Sequence, residues 1–229
     1  MYLQITNRCN MACAHCCFAC TEKGTDMSRE TWLTSLDLSV KREEIVTIGG
    51  GEPTLHPLFW EFIGLAFSKY SRWWPEMPLF IVTNGSQTES ALALAEMARK
   101  GIMGVALSQD QWHDPIHHSV PEAFEKQMRN TSSMEWQRDL REIRSVRTIV
   151  GFGRARSWGI KSECACDGLH VDPNGKLWSC GCKKLQFGTV FDPDVAPEYE
   201  RGDCWRVTKK AIKDNLRAEV EPELELQLT

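Results

Sequence analysis

Three cysteines, Cys9, Cys13 and Cys16, stand within eight residues in a C-x3-C-x2-C run directly after the first hydrophobic segment. Three thiolates at this spacing can hold three irons of a [4Fe–4S] cluster and leave the fourth iron without a protein ligand. An open iron is a place for chemistry, whereas a cluster held by four cysteines mostly carries electrons. Zinc is the competing reading: it takes four ligands, usually in paired C-x2-C or C/H spacings, and His15 or Cys17 would complete the set. The spacing and the position at a strand end favour iron. Cys17 and Cys20 extend the run, Cys17 read as packing against the cluster and Cys20 as free to serve as a ligand elsewhere. A second group, Cys164, Cys166, Cys180, Cys182 and Cys204, lies near the other end, with no cysteine between Cys20 and Cys164.

The composition bounds what can surround these thiols. A chain of 229 residues with 42% hydrophobic and 25% charged residues can bury the core of one domain, with room for a small appendage. Its net charge of −4 gives no broad footprint for nucleic acid. No apolar stretch is long enough to span a membrane. Met1 runs straight into Tyr2-Leu3-Gln4-Ile5-Thr6 without a signal-peptide pattern, so a cytoplasmic location is expected. Ten cysteines in such a chain point to metal rather than disulfides, because thiols stay reduced there.

Short apolar runs alternate with helix-period segments. Strands are expected at Tyr2–Thr6, Glu44–Ile48, Leu79–Thr83, Gly104–Ser108 and Ser145–Val150. Helices are expected from Ser28 to Val40, Pro57 to Tyr70, Ser86 to Lys100 and, more weakly, Pro121 to about Arg141, with Ser28 and Ser86 as N-caps. A βα series of this kind builds a parallel sheet, open or partly closed into a barrel, and ligands bind at the carboxyl ends of its strands. The segments that follow the five strands are all polar, glycine-rich or metal-binding: Asn7-Arg8-Cys9, Gly49-Gly50-Gly51-Glu52, Asn84-Gly85, Gln109-Asp110 and Gly151-Phe152-Gly153-Arg154. Farther on, Gly168 to Cys180 reads as a hairpin around Pro173-Asn174-Gly175.

The cysteine loop after the first strand, followed by Gly50-Gly51-Glu52-Pro53 after the second, resembles the radical S-adenosylmethionine (radical SAM) superfamily over roughly residues 1–155. The resemblance implies an α/β fold, a partial (β/α)6 TIM-like barrel. It implies that Cys9, Cys13 and Cys16 bind a [4Fe–4S] cluster whose open iron is chelated by the amino and carboxylate groups of S-adenosylmethionine. One-electron cleavage of the sulfonium then gives methionine and a 5′-deoxyadenosyl radical that takes hydrogen from substrate. By the same resemblance Gly50, Gly51 and Glu52 contact the methionine amino group through backbone carbonyls, and Thr83 and Asn84 contact the ribose side. Ser108 and Asp110, ending the fourth strand, stand where the family places contacts to S-adenosylmethionine or substrate. His113 either reaches substrate or caps a solvated loop, and Arg154 either pairs with a carboxylate or lies on the surface. Asp110, His113 and Arg154 are the catalytic candidates.

The second cysteine group straddles the hairpin as two C-x-C pairs, which resembles the shortened auxiliary-cluster extensions called SPASM or twitch domains. It departs from the fuller pattern, since only Cys204 follows the pairs. The expectation is one auxiliary [4Fe–4S] cluster on four of the five cysteines, with structural zinc as the alternative. Residues 1–155 would form the barrel and 156–229 a metal-binding extension with a C-terminal helix and acidic tail. The expected function is a radical SAM enzyme, oxidoreductase or isomerase, acting on a peptide, amino-acid conjugate or nucleoside in a modification pathway. Its electrons would come from a donor such as flavodoxin or ferredoxin, and a second copy of the chain, in a homodimer, would cover an open barrel mouth. An activating enzyme for a partner protein is the alternative, and a zinc-stapled binding module the more remote one.

Overall fold

A computed structural model describes residues 1–70, 79–125, 139–145, 149, 151–159 and 168–192. In its first strand, β1 (Tyr2–Thr6), alternation sorts the side chains. Leu3 and Ile5 are fully buried in the hydrophobic core, and Gln4 and Thr6, pointing the other way, are also without exposed surface. Polar side chains buried on that second face mark where the sheet expects something other than a helix. The chain then alternates through α1 (Arg29–Lys41), β2 (Thr47–Gly50), α2 (Phe59–Tyr70), β3 (Phe80–Thr83), α3 (Thr88–Arg99), β4 (Gly104–Ser108), α4 (Ser119–Phe124) and β5 (Arg141–Arg144). The later strands are β6 (His170–Val171), β7 (Lys176–Trp178) and β8 (Gln186–Thr189).

The described strands form one sheet in the order β5-β4-β3-β2-β1-β6-β7-β8. β1 to β5 pair in parallel with their neighbours in sequence, which puts the ends of all five at one edge. β6 is also parallel to β1, with Tyr2 opposite His170 and Leu3 opposite Val171, and the turn to β7 makes the last three strands antiparallel. Among the described residues the sheet is open, its edges being β5 and β8. This is the parallel-rich α/β architecture that the βα series implied, with the expected hairpin present and continuous with the same sheet.

The helices form where an apolar stripe meets a cap. Ser28 Oγ accepts from the Thr31 backbone N–H at 3.0 Å to start α1, with Glu30 in the first turn and Lys41 in the last. Phe59, Phe62, Ile63, Ala66 and Tyr70 bury one face of α2, and Phe62 stacks on Trp32 of α1 with ring centroids 4.7 Å apart. Ala91, Leu94, Ala95 and Ala98 do the same for α3. No described helix is long and apolar enough to cross a membrane.

Several expected boundaries move. β2 starts at Thr47, not Glu44, because Glu44 pairs with the N-terminal amine at 3.2 Å and with Arg42 at 2.5 Å. Ser86 does not cap α3, which begins at Thr88; its hydroxyl donates instead to Asn10 Oδ1 at 2.9 Å. The helix expected from Pro121 to Arg141 is found as α4, ending at Phe124, and Arg141 already belongs to β5. Residues 126–138 lie outside the described residues. Of the strand expected at Ser145–Val150, residues 146–148 and 150 lie outside the described residues, and β5 is found at Arg141–Arg144. It is an edge strand with Glu142, Ile143 and Arg144 exposed, so backbone pairing to β4 suffices and its sequence carries no apolar pattern. Cys164, Cys166, Cys204 and the expected C-terminal helix and tail also lie outside the described residues.

Candidate active site

The cysteine loop leaves β1 and is closed at its stem. Cys9 N donates to Thr21 O at 2.9 Å, Thr21 N to Asn7 O at 3.3 Å and Asn7 N to Thr25 O at 2.9 Å. Arg8 fixes the stem from below, with Nε on Asp26 Oδ1 at 3.0 Å and Nη2 on the Leu55 carbonyl at 2.7 Å. Arg154 fixes it from above. Its backbone N–H donates to Cys16 O at 3.0 Å, its Nη1 to Cys13 O at 2.7 Å and its Nη2 to Cys20 O. Gly153 precedes it at φ +57, where a Cβ would strike the carbonyls of Cys16 and Cys17. Among the described residues the Arg154 guanidinium takes the loop carbonyls of Cys13 and Cys20 as its partners.

Cys9, Cys13 and Cys16 line one cavity of about 250 Å³, and Cys17 borders it. Gly50, Gly51, Thr83, Asn84, Ser108 and His113 line the same space. Gly51 N donates to Thr6 O at 2.9 Å and Glu52 N to Arg8 O at 2.8 Å, so the segment after β2 lies backbone-to-backbone against the cysteine loop. A Cβ on Gly51 would run into the Arg8 carbonyl and lie 3.0 Å from Cys9 Cβ. Three soft donors converging on one cavity, with a glycine backbone as another wall, fit an iron–sulfur cluster. Burial pushes the Cys13 thiol up to about 11 and raises Cys9 too. Cys16 goes the other way, to about 5, chiefly because the Cys20 side chain hydrogen-bonds to it. The same bond and its burial at 2% exposure raise Cys20. Cys17 is pushed up to about 11 by burial.

Glu52 works through its side chain as well as its backbone. Its carboxylate is fully buried and accepts from Thr54 N at 3.1 Å, Thr54 Oγ1 at 2.6 Å, Thr83 Oγ1 at 2.8 Å and Asn84 N at 2.6 Å. It ties the end of β2 to the end of β3. Burial raises its pKa, and the four donors oppose that shift. Asn84 in turn points its amide at Cys9 Sγ, 3.7 Å away, and at Asn10 Oδ1, 3.4 Å away.

Beyond β4, Asp110 Oδ1 meets His113 Nδ1 at 2.8 Å and accepts from Trp112 N at 2.9 Å. This contact holds the His113 ring at the wall of the cavity. The His15 ring lies 5.3 Å from that of His113, and its own pKa is lowered by burial. Ligand atoms of His15, Asp110 and His113 lie within 4.8 Å of one another. Of the five C-terminal cysteines, Cys180 and Cys182 are described, with their sulfurs 2.8 Å apart.

Two residues of this region escaped the sequence reading. Gln4, on the inner face of β1, sits beneath the cysteine loop with Nε2 3.8 Å from Cys20 Sγ. Lys183 reaches it from beyond β7, donating to Gln4 Oε1 at 2.8 Å. The available signals were a glutamine in an otherwise apolar strand and a lysine directly after the second C-x-C pair.

The family model of the radical SAM superfamily matches residues 3–152. Over 114 residues the chain is 33% identical to the tungsten-containing aldehyde ferredoxin oxidoreductase cofactor-modifying protein of Pyrococcus furiosus, a match covering 48% of this chain and 30% of that protein. Over 110 residues it is 29% identical to the mycofactocin maturase MftC of Mycobacterium ulcerans, covering 47% of this chain and 28% of that one. These matches thus span less than a third of each curated relative. Among solved structures, BtrN in complex with AdoMet and 2-DOIA superposes with a TM-score of 0.53 at 14% identity, over 82% of this chain and 76% of that chain, a likeness of fold. With the cysteine loop and its glycine wall inside the matched segment, the chain is an enzyme that belongs to the radical SAM superfamily.

Proposed function

We propose that this enzyme cleaves S-adenosylmethionine reductively at a [4Fe–4S] cluster held by Cys9, Cys13 and Cys16, and that hydrogen abstraction then modifies a cofactor or cofactor precursor. The observation that carries this reading is the convergence of those three thiols and the Gly50-Gly51 backbone on one cavity. When bound, the cluster and S-adenosylmethionine supply the one-electron chemistry and the hydrogen-abstracting radical. The chain's own residues do the rest. Arg8 and Arg154 hold the thiolate loop, Gly51 lets the backbone close on the cavity, and Asn84 directs its amide at Cys9 Sγ. Ser108 lines the S-adenosylmethionine or substrate side. Asp110 orients His113 so that its ring accepts or returns a proton at the substrate. The names of the two curated relatives, a cofactor-modifying protein and a maturase, support the substrate class within the wider set of peptides, amino-acid conjugates and nucleosides.

A donor of the flavodoxin or ferredoxin kind supplies the electron. Cys180 and Cys182, with Cys164, Cys166 and Cys204, make residues 156–229 an auxiliary metal-binding extension, iron–sulfur in preference to zinc. The test is anaerobic reconstitution with iron and sulfide, followed by S-adenosylmethionine and a strong reductant. Wild-type protein yields 5′-deoxyadenosine and Cys13→Ala yields none, with the melting profile preserved. 5′-Deoxyadenosine from Cys13→Ala at the wild-type rate overturns the assignment.

A further inference from the structure

We infer that Lys183 is a counter-cation for the iron–sulfur centre of the cysteine loop, raising its reduction potential from across β1. The inference rests on the reading just proposed. Lys183 follows Cys180-Gly181-Cys182 and adopts φ +53, a left-handed backbone that a lysine rarely takes. Its N–H closes the turn on the Cys180 carbonyl at 3.0 Å. A lysine at a surface turn normally sends its ammonium to water. This one turns inward, passes over the Phe18 ring at 5.8 Å from the centroid and donates to Gln4 Oε1 at 2.8 Å. No ion pair joins it to a carboxylate among the described residues; the charged and titratable groups facing it include Asp172, Lys176, His170, Cys17 and Cys20.

The acceptor it has chosen leads to the cysteines. Gln4 is without exposed surface, and its Oε1 is shared with His170 Nε2 at 3.0 Å. Its Nε2 faces Cys20 Sγ at 3.8 Å. Cys20 packs against Cys9 and Met11 and hydrogen-bonds to Cys16. A continuous set of contacts therefore runs from the ammonium through Gln4 and Cys20 to a cluster ligand. A [4Fe–4S] cluster on three thiolates is a net anion and gains another negative charge on reduction. A partly buried cation with no carboxylate in ion-pair contact, beside a site that will hold an anion, stabilises the reduced form most, and groups around the ligands set such potentials. Arg154 flanks the loop too, but its guanidinium is bonded to the carbonyls of Cys13 and Cys20. Lys183 is a positioning residue for electron entry, and it arrives on the same turn as the second cysteine pair.

The test is an anaerobic redox titration of the reconstituted holoprotein, following by EPR the cluster whose signal changes when S-adenosylmethionine is added. In Lys183→Met the midpoint should move negative by at least a tenfold change in the reduction equilibrium, about 59 mV for one electron. Iron content and the S-adenosylmethionine response should stay at wild-type values, and Lys183→Arg should recover most of the shift. An unchanged midpoint in Lys183→Met with full iron content overturns the inference. So does loss of that cluster's iron, which would make Lys183 a support of the fold. A wild-type protein whose EPR signal ignores S-adenosylmethionine overturns the proposed function itself, and this inference with it.

Discussion

Glu52 shows how a residue marked for one role is held by another. Its carboxylate accepts four hydrogen bonds with no water contact, two of them from backbone N–H groups, those of Thr54 and Asn84, that cannot rotate away. Glu52→Gln keeps the volume but sets an amide N–H against one of these donors. Leaving such a donor unsatisfied costs about 1–3 kcal/mol, which denaturant unfolding should report as a lower midpoint. An unchanged midpoint would mean that the carboxyl does not organise the strand ends. His170 makes a pH-dependent prediction. Burial lowers its pKa from 6.5 to about 3, so the folded chain refuses a proton that the unfolded chain accepts. The stabilisation from the neutral ring is complete above pH 6.5 and is lost as pH falls from there toward 3. In that window the loss approaches about 1.4 kcal/mol per pH unit. His56, also buried and lowered, acts with the same sign. His170→Asn should be less stable at neutral pH, because it loses the stack on Tyr2 at 5.2 Å, yet its stability should fall less steeply between pH 6 and 4. Parallel slopes in the two proteins would refute the assignment.

At the scale of elements, the decisive contact is the one between the end of β2 and the cysteine loop. Gly51→Ala puts a Cβ against the Arg8 carbonyl, which is backbone and cannot swing aside. The expected result is a stability loss of about 1–3 kcal/mol and a fall in the iron retained by the cysteine loop. Gly64, exposed within α2 with nothing within 4 Å of its Cβ position, is the control. Gly64→Ala should keep its iron and gain up to about 1 kcal/mol. If both variants keep full iron, the glycine wall is not what admits the cluster. Much of this arrangement was legible in the chain. The first four strands and three helices announce themselves through apolar residues at the right period, and Ser28 caps α1 as its type demands. β5 was not read from the sequence because, at an edge of the described sheet, it pairs through backbone alone. Arg154 was legible as a residue at a strand end but not as a clamp, since its partners are carbonyls more than 130 positions away in sequence. Gln4 and Lys183 were missed for the same reason: a contact between β1 and the turn after β7 has no periodicity to betray it.

The described strands are joined in one sheet, and this bears on what Cys180 and Cys182 can do. β6 lies parallel to β1 at the edge away from β2, so β7 and the turn carrying Cys180 and Cys182 follow on the β1 side of the cysteine loop. Phe18 of that loop lies against the turn, 3.1 Å from where a Cβ on Gly181 would sit, and also packs on His170 at 5.2 Å. A metal on Cys180 and Cys182 would be anchored to the same sheet as the first, and the two can be separated by counting atoms. Two [4Fe–4S] clusters predict about eight irons and eight labile sulfides per chain after anaerobic reconstitution. Cys180→Ala should then leave about four irons and the S-adenosylmethionine-responsive signal. The sulfurs of Cys180 and Cys182 are 2.8 Å apart, so removing Cys180 breaks the described thiol pair, while Cys9, Cys13 and Cys16 keep their own cavity. About four irons with one zinc in the wild type would keep the radical chemistry and make the second group a structural staple. A Cys180→Ala protein with the full wild-type iron count would remove that residue from the metal altogether, and the turn after β7 would then serve the first cluster through Lys183 alone.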